Sequence, residues 1–406
     1  MKPLVLVASL LFTACMVGDP SEIAPPEDNT GADIGDGDIT PELASGCTEM
    51  TTVLLYSEGT YALTLPNAFA AAVDPCTRYY VHLPALTADK TQPRSGADKV
   101  RALGANFHAM AEFQWGAWRD WIAQSPGTRD WALAGRTFRD RMTAAGYDVA
   151  AGDIWAINEF PMSTHTGDND VWAHERAAIK GLAEGDGTRT VRGVAYSAGM
   201  GQTLATLGVY KGNVEGWLSQ DAWWADMNRY VRWFAVEVYA DPHDNCVIGS
   251  SVVRDSDNLS AYVEHLPRLA HEGGAATATA AAYLQHHYVP LLNAAFNSNN
   301  GFGDNLIGLG DFVKFSRLQV YATHVWAAHD GYPGRRIGFA WAPKDTTPAQ
   351  ESELSGIIAR SVSRAYPANK FYNYGKYACN ASGALDGCGC TVAGSYNHAW
   401  DTFATW

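Results

Sequence analysis

The constraint that narrows the fold most is a repeated alternation. Short apolar runs that read as strands are each followed by a stretch with helical spacing. Val53–Tyr56 reads as the first strand, with a helix near 66–73. Tyr79–Leu83 is the second, followed by a helix over Lys99–Leu103. Asn106–Phe113 is the third, with helices filling 117–145. Asp153–Glu159, Arg192–Tyr196 and Trp233–Tyr239 are the fourth, fifth and sixth, separated by helices at 173–184 and 214–231. Long helices are expected over about 259–297 and 311–329, then a late strand at Arg336–Trp341 and a last helix at 350–365. Strands that alternate with helices build βα units around a parallel sheet. The expectation is an α/β fold, a (β/α)8 TIM-barrel-like single domain with a helical insertion, over residues 47–370. The seventh strand is not visible, because 245–310 shows only helix and Gly-rich loop. A doubly wound open sheet is the alternative.

Barrels of this kind place their active sites at the C-terminal ends of the strands. The polar residues there are His82, Glu112, Glu159, Tyr196 with Ser197, Glu237 and Asp241. Any one glutamate at a strand end reads equally well as a solvated end or a helix cap. Three at one mouth, among aromatic residues, point to chemistry. The chain holds 14 Trp and 19 Tyr. Trp115, Trp155, Tyr196, Tyr239 and Trp341 stand at or near strand ends, whereas Trp223, Trp224 and Trp233 read as core.

The run Ile157-Asn158-Glu159-Phe160-Pro161 resembles the Asn-Glu that ends the fourth strand in the clan of retaining barrel glycosidases. That resemblance implies that Glu159 is the acid/base and that Asn158 binds the sugar beside it. Trp155–Pro161 also resembles a run in uncharacterised secreted proteins of actinobacteria and myxobacteria, which implies no activity. Glycoside cleavage needs a second carboxyl group. The clan places its nucleophile on strand seven, where no strand-like Glu is found here. Glu237 in the sixth strand is the candidate, with Glu112 or Asp241 as substitutes. His82, Glu112, Trp115, Tyr196, Tyr239 and Trp341 complete the expected substrate-binding set. The expectation is a glycoside hydrolase acting on an extracellular polysaccharide or oligosaccharide.

Two other classes stay open. Ala195-Tyr196-Ser197-Ala198-Gly199 is a variant of the G-x-S-x-G nucleophile elbow, which would make Ser197 a nucleophile with Asp241 and His324 or His398 as partners. A non-catalytic glycan-binding lipoprotein would keep the aromatics without needing paired carboxylates. Metal chemistry is disfavoured, since His286 and His287 point about 100° apart on a helix and Asp241–Asp244 reads as a capping turn. No phosphate-binding loop is present, Gly185-Asp186-Gly187 reading as a turn, and no cofactor is expected.

The first residues predict export. Lys2 precedes a short apolar run, as in a secretory signal, and the run is shorter than the roughly 20 residues of a spanning helix. Thr13-Ala14-Cys15 resembles a bacterial lipobox, although Phe12 stands where Leu is usual. Residues 1–14 are therefore read as a lipoprotein signal and Cys15 as the lipidated residue, anchored to the outer membrane or cell surface. Residues 15–46 are rich in Gly, Pro, Asp, Glu and Thr, lack aromatics, and read as a disordered tether. A net charge of −14 argues against nucleic-acid partners. Of seven cysteines, Cys47, Cys76, Cys246, Cys379, Cys388 and Cys390 remain, an even number that suggests disulfides in an exported chain. The last three would hold a C-terminal extension, 371–406, onto the barrel, with metal binding by that cluster as the disfavoured alternative, since no His stands beside it at zinc-type spacing.

Overall fold

A computed structural model of the chain describes residues 51–56, 64–71, 76–86, 96–114, 117–118, 130–158, 160, 171–197, 220–238, 277–293 and 335–340, with 352, 355, 356, 358 and 359. By contacts the chain divides into Met1–Asp38 and Ile39–Trp406, and every described residue belongs to the second unit. The expected signal, tether and C-terminal extension lie outside the described residues. So do the helix at 311–329 and most of the long helix at 259–297.

The strands are β1 (Thr51–Tyr56), β2 (Thr77–Leu83), β3 (Phe107–Gln114), β4 (Ile154–Asn158), β5 (Gly193–Ser197), β6 (Val231–Val238), β7 (Tyr288–Asn293) and β8 (Arg335–Ala340). Each pairs in parallel with the next in sequence, and β8 returns to β1 through Thr51↔Arg335 to Tyr56↔Ala340. The result is a closed eight-stranded barrel, which removes both sheet edges. An open doubly wound sheet is excluded, and with it the α/β-hydrolase sheet on which a nucleophile elbow at Ser197 would sit.

Helices α1 (Thr64–Ala71), α2 (Ala97–Arg101), α3 (Trp131–Ala144), α4 (Val171–Glu184), α5 (Asp221–Tyr230) and α6 (Ala278–His287) fall between strands. Among the described residues, none is long and apolar enough to cross a membrane. α6 corrects the sequence reading, since the expected helix through 297 stops at His287 and β7 begins at Tyr288. The cause is local. Pro290 has no N–H to give a helix and disfavours helical backbone at Val289, which is itself β-branched.

Contacts show which face of each strand looks inward. Tyr56 reaches Tyr196, with ring centres 5.1 Å apart, and Tyr80 meets Trp233 at 4.6 Å, so these side chains fill the barrel. On the outer faces Phe113 packs on Trp118 at 5.1 Å, and Phe234 meets Trp224 of α5 at 6.1 Å. Trp155 also faces outward. It is fully buried, and its Nε1 donates to the Val191 carbonyl at 2.7 Å. Trp155, singled out from the sequence as an aromatic near a strand end, therefore lies off the barrel interior: strand alternation puts it opposite to Asn158 and Ala156. Trp223, Trp224 and Trp233 are buried in the core as expected.

Polar anchors fix the N-terminal end of β4. Asp153 accepts from the backbone N–H of Ala109 and of Asp148, both at 2.8 Å, and is paired with Arg101. The Asp130 side chain caps α3 by accepting from Leu133 N–H at 2.9 Å.

Candidate active site

Tyr56, His82, Glu112, Asn158 and Tyr196 come from five consecutive strands, β1 to β5, and meet at the C-terminal end of the barrel. Asn158 is the last residue of β4. Its amide nitrogen donates to Tyr56 Oη at 2.8 Å and to Glu112 Oε1 at 3.0 Å. The other Glu112 oxygen lies 3.2 Å from His82 Nε2. Tyr56 packs against the His82 ring at 4.1 Å, and the Tyr196 ring stands edge-on to His82 at 6.1 Å. Tyr196 donates its hydroxyl to Met110 Sδ at 3.5 Å.

This cluster is nearly dry, with His82 1% and Glu112 7% exposed. Burial pushes the Glu112 carboxyl up. The hydrogen bond and charge of His82, with the hydrogen bond of Asn158, outweigh that and hold its pKa below the ordinary value. Glu112 is therefore an ionised carboxylate inside the barrel mouth. Tyr196 is pushed well above the usual phenol value, by burial first and the Glu112 charge second, and stays a neutral donor.

Four of the residues singled out from the sequence, His82, Glu112, Asn158 and Tyr196, are thus brought together. Glu237 is described by its backbone alone, on β6 opposite Leu291 of β7. Glu159, Trp115, Tyr239 and Trp341 lie outside the described residues, as do Asp241, His324, His398 and Cys15. The separation of the Glu159 and Glu237 carboxyls falls outside them too. Ser197 ends β5 and is fully buried. Tyr56 was missed as a site residue. The signal was present, since an aromatic hydroxyl ends the first strand just as His82 and Tyr196 stand near the ends of theirs.

Among the described residues, no three His, Cys, Asp or Glu side chains are grouped to hold a metal ion. His286 and His287 end α6 with ring centres 6.5 Å apart. His287 is tied up structurally, its Nδ1 lying 2.8 Å from the Arg232 carbonyl oxygen.

No family model matches the chain. No curated protein matches it in sequence. Solved structures similar in fold include glycoside hydrolases. A GH18 chitinase from Cycas revoluta, in complex with (GlcNAc)3, is 12% identical with a TM-score of 0.40, over 78% of this chain and 99% of that one. An endo-β-1,4-glucanase from Xanthomonas axonopodis pv. citri is 10% identical with a TM-score of 0.38, over 77% and 99%. A D-psicose 3-epimerase from Clostridium cellulolyticum H10, with D-tagatose, is 11% identical with a TM-score of 0.29, over 78% and 96%. Likeness at this level concerns the parallel barrel alone and carries no argument about the reaction.

Proposed function

We propose that the chain is a glycoside hydrolase, exported and held to a membrane by a lipid on Cys15, that cleaves an extracellular glycan with two carboxyl groups. Glu159 is the acid/base and Glu237 the second carboxylate. The observation that carries this reading is the hold on Asn158. The residue before Glu159 ends β4 with its amide shared between an ionised Glu112 and Tyr56. Strand ends fixed in this way are where barrel enzymes keep their reacting groups. One carboxyl protonates the departing oxygen, and the other attacks the anomeric carbon or activates water. The Glu112 charge adds a second effect: a carboxyl placed near it is pushed up in pKa by like-charge repulsion and holds its proton for delivery.

The test is release of reducing ends by the purified protein from a panel of polysaccharides. Glu159→Gln keeps the shape of the side chain and removes the transferable proton. It should lower turnover of the natural glycan by about 10²–10⁴-fold, and lower that of aryl glycosides with good leaving groups less. Glu237→Gln should damage both. If both variants stay fully active, the two-carboxylate reading falls. Glycan binding with no cleavage would leave a binding protein.

A further inference from the structure

Glu175 is a buried carboxyl that the proposed reaction does not use. It lies on α4, fully buried, and its Oε2 accepts a 2.7 Å hydrogen bond from Trp223 Nε1 on α5. Its Oε1 has no hydrogen-bond partner among the described residues. Burial pushes this carboxyl well above the usual range, with the Trp223 bond opposing, so the group keeps its proton. An apolar side chain of similar size would avoid leaving a buried oxygen unsatisfied. A carboxyl in this place points to a task.

Trp223 carries the contact onward to the chain just beyond β4. Its ring packs on Phe160, with centres 5.7 Å apart and planes at 31°. Phe160 N–H donates to the Tyr196 carbonyl at 2.8 Å, which ties the chain just beyond β4 to β5. On the other side of position 159, Asn158 is held by Glu112 and Tyr56. The chain is therefore fixed on both flanks of Glu159, one side from inside the barrel and the other from the helix layer. We propose that Glu175 is a positioning residue, which through Trp223 and Phe160 holds the chain just beyond β4, and that the acid/base proposed at position 159 depends on this hold. The inference rests on the glycosidase reading for the role of Glu159. Glu175 orients the indole by accepting its N–H. Trp224 packs edge-on against the same ring at 4.8 Å, and the bond to Glu175 adds a polar restraint on the indole edge.

The experiment compares Glu175→Leu, Glu175→Gln and Trp223→Phe in the full chain. Misplacing a group that acts in the transition state lowers kcat and leaves KM alone. Glu175→Leu should cut kcat on natural glycan by about tenfold or more, and change kcat on aryl glycosides with good leaving groups by less than about twofold, because those need little protonation. Glu175→Gln keeps a carbonyl oxygen for the indole and should rescue both. Trp223→Phe keeps a ring without the N–H and should follow Glu175→Leu. Amide hydrogen exchange at Phe160 should speed up in the Leu and Phe variants and match wild type in the Gln variant. An equal loss on both substrate types would report a smaller folded fraction and overturn the proposal. Unchanged Phe160 exchange in Glu175→Leu would overturn it too. If the wild-type protein cleaves neither substrate, the glycosidase reading falls, and the exchange comparison alone decides whether Glu175 holds this turn.

Discussion

Replacing Gly193 by alanine puts a methyl carbon 2.2 Å from Cδ2 of Trp155 and 2.4 Å from the Trp155 carbonyl oxygen. Ordinary van der Waals contact begins at 3.4 Å, so the ring or the strand must retreat by more than an ångström. Neither does so cheaply. The ring is fully buried and fastened to the Val191 carbonyl, and the carbonyl belongs to β4, paired with β5 through Ala156↔Val194 and Ile157↔Ala195. Overpacking a core costs about 1–3 kcal/mol. Pulling Trp155 off Val191 adds roughly 1 kcal/mol. Gly193→Ala should therefore destabilise by about 3 kcal/mol, read as the extrapolated free energy of urea unfolding. In a Trp155→Leu background the same change should cost less, because the ring is gone while the carbonyl remains, and the two effects should fail to add. A Gly193→Ala protein within about 0.5 kcal/mol of wild type, the usual range for harmless surface changes, would refute the close approach of β5 to Trp155.

Three further outcomes can be checked directly. His108 is pulled down to about 4 from 6.5, by burial first and the charges of Arg78 and Arg232 after it, against a raising bond to the Ala151 carbonyl. Its folded pKa lies below its unfolded one, so the unfolded chain binds the extra proton between those values. Stability from this group is complete above about pH 6.5 and is lost as pH falls toward 4. His108→Gln should flatten the pH dependence of unfolding in that window, and an unchanged slope would count against it. Cys15→Ala should move the protein from membrane to soluble fractions, and a variant that stays with membranes removes the lipid anchor from the proposal. Thiol labelling of the denatured, unreduced chain should find no free cysteine among Cys47, Cys76, Cys246, Cys379, Cys388 and Cys390. Several labelled cysteines would oppose that expectation.

Much of the barrel is legible because its strands are buried on both faces and read as continuous apolar runs. Thr51–Tyr56 is buried at every position. β7 is harder to see, since an alanine-rich helix runs into it without a turn residue: His287 is helical and Tyr288 already extended. Only Pro290 betrays the change, and an Ala-weighted reading passes over one residue. At the site, polar groups in apolar strands announce themselves, as His82, Glu112 and Asn158 do. Tyr56 and Trp155 show the limit. Both are aromatics in apolar strands, and the closing of the sheet decides which strand face lines the barrel, so that Tyr56 meets Tyr196 inside and Trp155 meets the Val191 carbonyl outside. Glu175 was hidden for another reason. A carboxylate within a helix reads as a solvated face until the packing of α5 against α4 buries it.

The bond from Asn158 to Tyr56 joins residues 102 positions apart in the chain, and the barrel seals only when β8 reaches β1. Contacts of such long range form after much loop entropy has been lost, and chains dominated by them fold slowly. Synthesis order sharpens the point. The residues of the polar cluster are all made by position 197, yet β1 lacks its second neighbour until Arg335–Ala340 has emerged. For that interval the newborn chain carries a half-built sheet with an open flank at β1, a stage at which strand edges invite aggregation.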